Sequence, residues 1–495
     1  MPPHPHCHWR DSQAWKQLGL EMSTTSDEAC KMYDAILTQV VNHFDDGALG
    51  GMAKCLERMT EADPNFVLGL AMKHSFNLQL IHHNYTHAQE VYHMMELSQQ
   101  PHVKPWERKH AEATKLLSEG KFNDACSLWE DILLDHPKDL LSLKMLHEIY
   151  IINGNSCGLR DSIARVAPYW TPDMPHYGDM LAMYGFGLEE TNMYDVARQK
   201  AQQAGCLNIL ILILTVFIEN DTFVHLSHVL RKLGIMHALE INPYNAWATH
   251  CLAHVNEMTG NHKDGLAFMA ETEANWNYTS LKSHNYWHWA LYYHEMGDFE
   301  SAAGLLDNQI LPTMKETKSW FALTDAASLC FRLEAEDYDI GNRWPQFAEI
   351  AKDNKYNHVM PYADFNVALA SLRGGDWESA QGMLEGLKKV VKNNEGDIAR
   401  AYNEVTIPVI EATMAYEKGD FDRAVDILKP LKYQMYRMGG SHAQRDIFNN
   451  LTIHAGLRSK RPENQNFASQ LLHTRKQLKV NSPLADRLLL GLATA

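Results

Sequence analysis

Gly297-Asp298-Phe299-Glu300-Ser301-Ala302 is one copy of a six-residue phrase that decides the fold. The phrase returns as Gly120-Lys121-Phe122-Asn123-Asp124-Ala125, as Gly375-Asp376-Trp377-Glu378-Ser379-Ala380 and as Gly419-Asp420-Phe421-Asp422-Arg423-Ala424. Weaker copies begin at Gly47, Asn192 and Gly260. Each copy reads as a junction between two helices. The glycine closes the first helix in the left-handed conformation, the aromatic residue opens the second, and the alanine lets the two pack closely. After Gly120 the chain runs through Trp129 to Pro137, the second half of a tetratricopeptide-like unit of about 34 residues. Apolar residues recur at helical spacing around every junction, and β-branched alternation is nearly absent. The fold expected is all-α, a solenoid of tetratricopeptide-like helix-turn-helix repeats.

Residues 1–22 read as an N-terminal segment, 23–455 as the solenoid and 456–495 as a C-terminal helical cap. Clear repeats fall near 107–140, 180–243, 246–279, 284–317, 362–395 and 406–439. Ser26 is the expected N-cap of a first helix opening on Asp27-Glu28, and Ser441, after the Gly439-Gly440 turn, that of a late one. One repeat is split. Its second helix reaches Ala204, yet its closing phrase, Ala238-Leu239-Glu240-Ile241-Asn242-Pro243, follows only after an insertion at about 205–237. Arg458, Lys460, Arg461, Arg475 and Lys476 in the tail read as the solvated face of the cap.

Composition narrows the function. At 495 residues the chain is too long for one compact core and suits an elongated array. With a net charge of −16 and no basic block, no nucleic-acid partner is expected. The longest apolar run, Ile209 to Ile218, is about half of the ~20 residues a membrane span needs, so none is predicted. Eight cysteines without close pairing or a C-x-x-C motif suit reduced thiols and a cytoplasmic location. Prolines among His4, His6, Cys7 and His8 deny that tract a regular metal scaffold. Phosphate loops, H-E-x-x-H, G-x-S-x-G and dinucleotide fingerprints are all missing.

Histidine and tryptophan concentrate between Trp247 and His294. His250 and His254 share one helix face at four-residue spacing, with Glu257 further along it. His284 and His288 repeat the spacing on the next first-position helix. Counting back from Gly260 and Gly297 puts Trp247, His250, His254, Glu257, His284, Trp287 and His294 on positions that line the concave groove of tetratricopeptide repeats, with His288 beside it. Three readings follow: a hydrogen-bonded histidine set at a tight helix contact, a groove that grips a peptide or small ligand, or a divalent metal such as Zn on His250, His254, Glu257 and His284. The function expected is a non-catalytic scaffold with a protein, peptide or small-molecule partner and no cofactor. The alternative is a metal-dependent enzyme on the same cluster, and a third possibility is an inert subunit of a larger assembly. Trp129, Trp320 and Trp344 read as packing residues.

Several stretches resemble the tetratricopeptide repeat protein 38 family. They are Ser23-Thr24-Thr25-Ser26-Asp27-Glu28-Ala29-Cys30, Cys126 to Leu133, Trp170-Thr171-Pro172-Asp173, His284 to Tyr292, Gly440 to Asp446 and Asn481-Ser482-Pro483-Leu484. The resemblance spans about residues 9 to 490 and implies an all-helical repeat protein. It carries over no catalytic residues. The histidine-rich first eight residues and the 205–237 segment depart from the family pattern.

Overall fold

The computed structural model describes residues 8–80, 86–204, 245–358, 360–393, 396–479 and 481–494. Among these, every regular element is a helix, and none is long and apolar enough to cross a membrane. Consecutive helices pair as hairpins: Asp27–Asn42 with Gly51–Ala62, Pro105–Ser118 with Phe122–Asp135, Leu140–Asn153 with Ser156–Val166, and Ala246–Met258 with His262–Trp276. The series continues with Lys282–Met296 and the helix from Phe299 to Thr317, which passes through a π turn at Leu306–Ile310. Trp320–Ala335 with Trp344–Asn354, Pro361–Arg373 with Trp377–Asn393, the helix from Asp397 to Glu417 with Phe421–Leu431, and His442–Arg458 with Pro462–Leu478 follow.

The junction phrase forms as its chemistry dictates. Gly120, Gly260, Gly297, Gly375 and Gly419 all adopt positive φ, and helices open on Phe122, Phe299, Trp377 and Phe421. The aspartate in the phrase has its own task. Asp298, Asp376 and Asp420 each accept the backbone N–H three residues on, capping the helix that the aromatic residue begins. Gly47 is an exception: the helix before it ends earlier, at His43 in the left-handed conformation. Gly154, 34 residues beyond Gly120, supplies a junction in the interval where the phrase is unrecognisable. Ser26 and Ser441 cap their helices as expected, the latter in a reciprocal box with Gln444.

Two boundaries move. The hairpin expected near 406–439 starts at Asp397, because that helix runs through a π turn at Tyr402–Thr406. Beyond the His442–Arg458 helix, the tail is two helices, Pro462–Leu478 and Pro483–Thr494. Nor is its basic character all solvated. Arg475 is half-buried between Asp446 and Glu295, and Arg487 reaches Glu336 and the carbonyls of His294 and Glu295. The expected insertion, 205–237, lies outside the described residues.

From Ala246 to Glu417 the first helices of successive hairpins pack on one another, and the chain then turns back on itself. The His442–Arg458 helix touches both Trp320–Ala335 and Ala246–Met258, while residues 432–438 meet Leu140–Asn153. At this seam Gly440 donates to Ile151 O at 2.9 Å, the His442 N–H to Glu190 Oε1 at 2.6 Å, and Arg445 to Glu190 Oε2 at 2.8 Å. Backbones meet so closely that a Cβ on Gly154 would lie 1.8 Å from Tyr436 O, and one on Gly439 2.2 Å from Ile152 O. The first helices are consequently buried all round, and their polar residues must find partners inside.

Candidate metal centre

His250 and His254 project from the Ala246–Met258 helix toward His284 and His288 on Lys282–Met296. One nitrogen from each ring lies within 4.8 Å of the others, and all four residues are buried. The rings of His254 and His288 are closest, with centroids 4.2 Å apart, and His250 Nε2 meets His254 Nε2 at 3.0 Å. Nitrogens around a tetrahedral zinc ion, bound at about 2.0–2.1 Å, stand about 3.3 Å from one another. The rings therefore need only small rotations to close on an ion.

Carboxylates stand behind three of the rings. Asp325 Oδ1 takes His284 Nδ1 at 2.8 Å, Glu257 Oε2 takes His288 Nδ1 at 3.1 Å, and Glu189 Oε2 lies 3.6 Å from His254 Nδ1. This is the arrangement by which proteins orient metal-bound imidazoles, fixing the tautomer so that Nε2 faces the ion. Burial, followed by the neighbouring imidazoles, holds His250, His254 and His288 well below the ordinary imidazole range. Burial also pushes Asp325, Glu257 and Glu189 upward, Glu190 adding to the last. Three neutral rings beside buried carboxylates form an environment that a dication would stabilise. His288 Nε2 and His254 Nδ1 have no hydrogen-bond partner.

The sequence-derived residues fall into three groups. His250, His254 and His284 meet as expected. His288, expected beside the groove, is central, and Glu257 is its hydrogen-bond partner, not a member of the nitrogen cluster. His294 is not in the cluster at all: its Nε2 faces Glu336 Oε1 at 3.1 Å, by the chain terminus. Trp287 is wholly buried, stacked on His284 and donating to Ser328 Oγ at 2.9 Å, so it offers no groove surface. Six residues separate His288 from His294, nearly two turns, and the crossing of neighbouring helices decides which turn faces the centre. Of the residues expected to line the groove, Trp247, His250 and His284 reach an open cavity, whereas His254, Glu257, Trp287, His288 and His294 are buried between helices.

A cavity of about 520 Å³ opens beside the cluster. His250 and His284 reach its wall, with Phe186, Trp247, Trp320 and Phe321. Trp320, expected only to pack, is thus half-buried on that wall. Trp247 stacks on His43 at 5.1 Å and presents its ring to His250 at 4.7 Å. Buried Lys144 lies nearby, between His43 Nε2 at 3.4 Å and Glu148 Oε1 at 2.5 Å.

Sequence reasoning missed Glu189, Asp325, Phe186 and His43. Asp325 carried a signal, as the one charged residue in the mostly apolar run from Trp320 to Phe331. Glu189 and His43 carried none, since they reach the centre through packing between hairpins. No protein-family model matches the chain.

Proposed function

We propose that the protein is a metal-dependent enzyme, holding a divalent transition ion on His250, His254, His284 and His288 at the floor of the 520 Å³ cavity. The observation that carries this is the carboxylate set: Asp325 and Glu257 orient two of the rings through Nδ1, and Glu189 stands behind a third. All-imidazole sites suit Zn, Cu, Fe or Ni. Such an ion supplies a Lewis acid or lowers the pKa of a bound water. The chain's own residues orient the ligands, exclude bulk water and present an aromatic wall, sized for a small molecule, to the substrate. On this reading the scaffold is a tetratricopeptide-like repeat solenoid in a cytoplasmic protein, an all-helical repeat architecture being what the resemblance to the tetratricopeptide repeat protein 38 family implies, and the seam contacts close it on itself.

Elemental mass spectrometry of the untagged protein tests the proposal. We expect near-stoichiometric metal in the wild type and its loss in His284→Ala and His288→Ala. The N-terminal His4, His6, Cys7 and His8 are common to all three, so stray metal there cancels. Equal metal in wild type and variants would end the proposal.

One observation favours the non-catalytic reading, a scaffold that grips a peptide or small ligand. The 3.0 Å contact between His250 and His254 satisfies two of the rings with a shared proton and no ion. In that case Trp247→Ala weakens ligand capture, and no metal is found in any variant.

A further inference from the structure

The four rings are not equivalent. Those of His284, His288 and His254 face Asp325, Glu257 and Glu189 through Nδ1, whereas His250 Nδ1 is buried with no partner. What surrounds His250 is aromatic: Trp247 at 4.7 Å and Phe186 at 5.3 Å between ring centroids. Such faces hold a ring by packing, and at Nδ1 no hydrogen bond opposes its rotation; the Nε2 contact with His254 is the one that an ion would replace. His250 also reaches the cavity wall, where His254 and His288 do not. His284 reaches it too but is tied to Asp325.

We propose that His250 is an exchangeable ligand, so that the metal turns one coordination position toward the cavity and takes there a neutral oxygen or nitrogen donor carried on an apolar body. This rests on the metal reading above. Two histidines hydrogen-bonded to carboxylates, a third with a carboxylate 3.6 Å behind it and a free fourth position follow the pattern of catalytic rather than structural zinc sites. In the exchange the bond from the metal to the His250 nitrogen breaks and a bond to the incoming donor forms. No electron or proton changes hands. The donor is neutral because Asp325 and Glu257 already offset a dication, and the wall adds no net charge: Glu148 is paired with Lys144, and Glu316 is matched by Lys282. An incoming anion therefore gains little, while the rings of Phe186, Trp247, Trp320 and Phe321 favour an apolar body.

Cobalt(II) loading with 4-phenylimidazole as probe tests this, since visible absorption reports the ligands around cobalt. Wild type should take up one ion per chain, and the probe should change its bands. The His250→Ala protein should keep its cobalt and bind the probe at least about tenfold more tightly, because an internal competitor is gone. The His288→Ala protein should lose the ion. A His250→Ala protein as empty as His288→Ala, or wild-type bands unmoved by saturating probe, would overturn the proposal. Should His250→Ala fail to fold by circular dichroism, the wild-type titration decides alone. Failure of wild type to take up cobalt is a different result: it removes the metal reading itself, and this inference with it.

Discussion

Asp325 does at residue scale what no histidine can do for itself. Its carboxylate sits 2.8 Å from His284 Nδ1 and so selects the tautomer whose Nε2 is free to bind. Replacing it, as Asp325→Asn, leaves the ligand count unchanged and should weaken metal about 10–100-fold, as measured by chelator competition. Unaltered affinity would show that the carboxylate does not orient the ring. The i, i+4 histidine pairs were legible because helix geometry alone puts them on one face. Glu257 is on that face too, but one turn further, where it meets His288 Nδ1 and not the other nitrogens. His294 was misplaced for the same reason, since spacing along one helix says nothing about where the next one crosses it.

Hairpins are the scale at which the sequence was most readable. A left-handed glycine, a capping aspartate and an aromatic residue are local requirements, and local requirements leave local patterns. Gly154 escaped notice because its neighbours, Asn155 and Ser156, carry no aromatic residue, although its role is the most demanding of all. With φ at +72° and Tyr436 O in the place of a Cβ, Gly154→Ala should cost about 2–4 kcal/mol from strain and overpacking. Denaturant unfolding measures this, and Gly419→Ala is the matched control, with the same positive φ and open space around it. Equal losses in the two variants would mean that the seam adds nothing. A milder prediction concerns the caps: Asp298→Ala should lower stability by about 1 kcal/mol in the same assay.

Closure of the whole molecule was invisible beforehand, since contacts between residues more than a hundred positions apart write no periodicity into a chain. Its electrostatic anchor is Glu295, which receives Arg475, Lys479 and Ser482 from the C-terminal helices. Burial alone would raise this carboxyl, but Lys479 and Arg475 hold it well below the ordinary range. The folded protein thus binds that proton less tightly than the unfolded chain does. The stabilisation is complete above the unfolded value of about 4.3 and is lost as pH falls through the lower folded value. Glu295→Gln should cost about 3–5 kcal/mol at neutral pH, and the gap from wild type should narrow in acid, as thermal melts at several pH values will show. A gap that is constant with pH would count against the anchor.

The split repeat also belongs to this scale. The carbonyl of Ala204 lies beside Gly178, and Asn245 donates to Asp179 Oδ1 at 3.0 Å, so the chain leaves and returns at neighbouring residues of one helix. Between them, Ala197 and Ala201 pack directly on Cys251, Leu252 and Val255. If residues 205–237 are an insertion, as the closing phrase at Ala238 to Pro243 implies, a chain lacking them should keep this packing and melt within about 3 °C of the full chain. A collapse in melting temperature would show that the segment is part of the fold.

Arrays of repeats with free ends usually lose their terminal units first, because each unit touches only its neighbours. Here the stitches from Gly440 to Ile151 and from Arg445 to Glu190 tie the 442–458 helix to the early hairpins, so it is not a free terminal unit. Amide exchange in the 442–458 helix should accordingly proceed only by global opening, at the same rate as in the 140–153 helix nearly three hundred residues earlier.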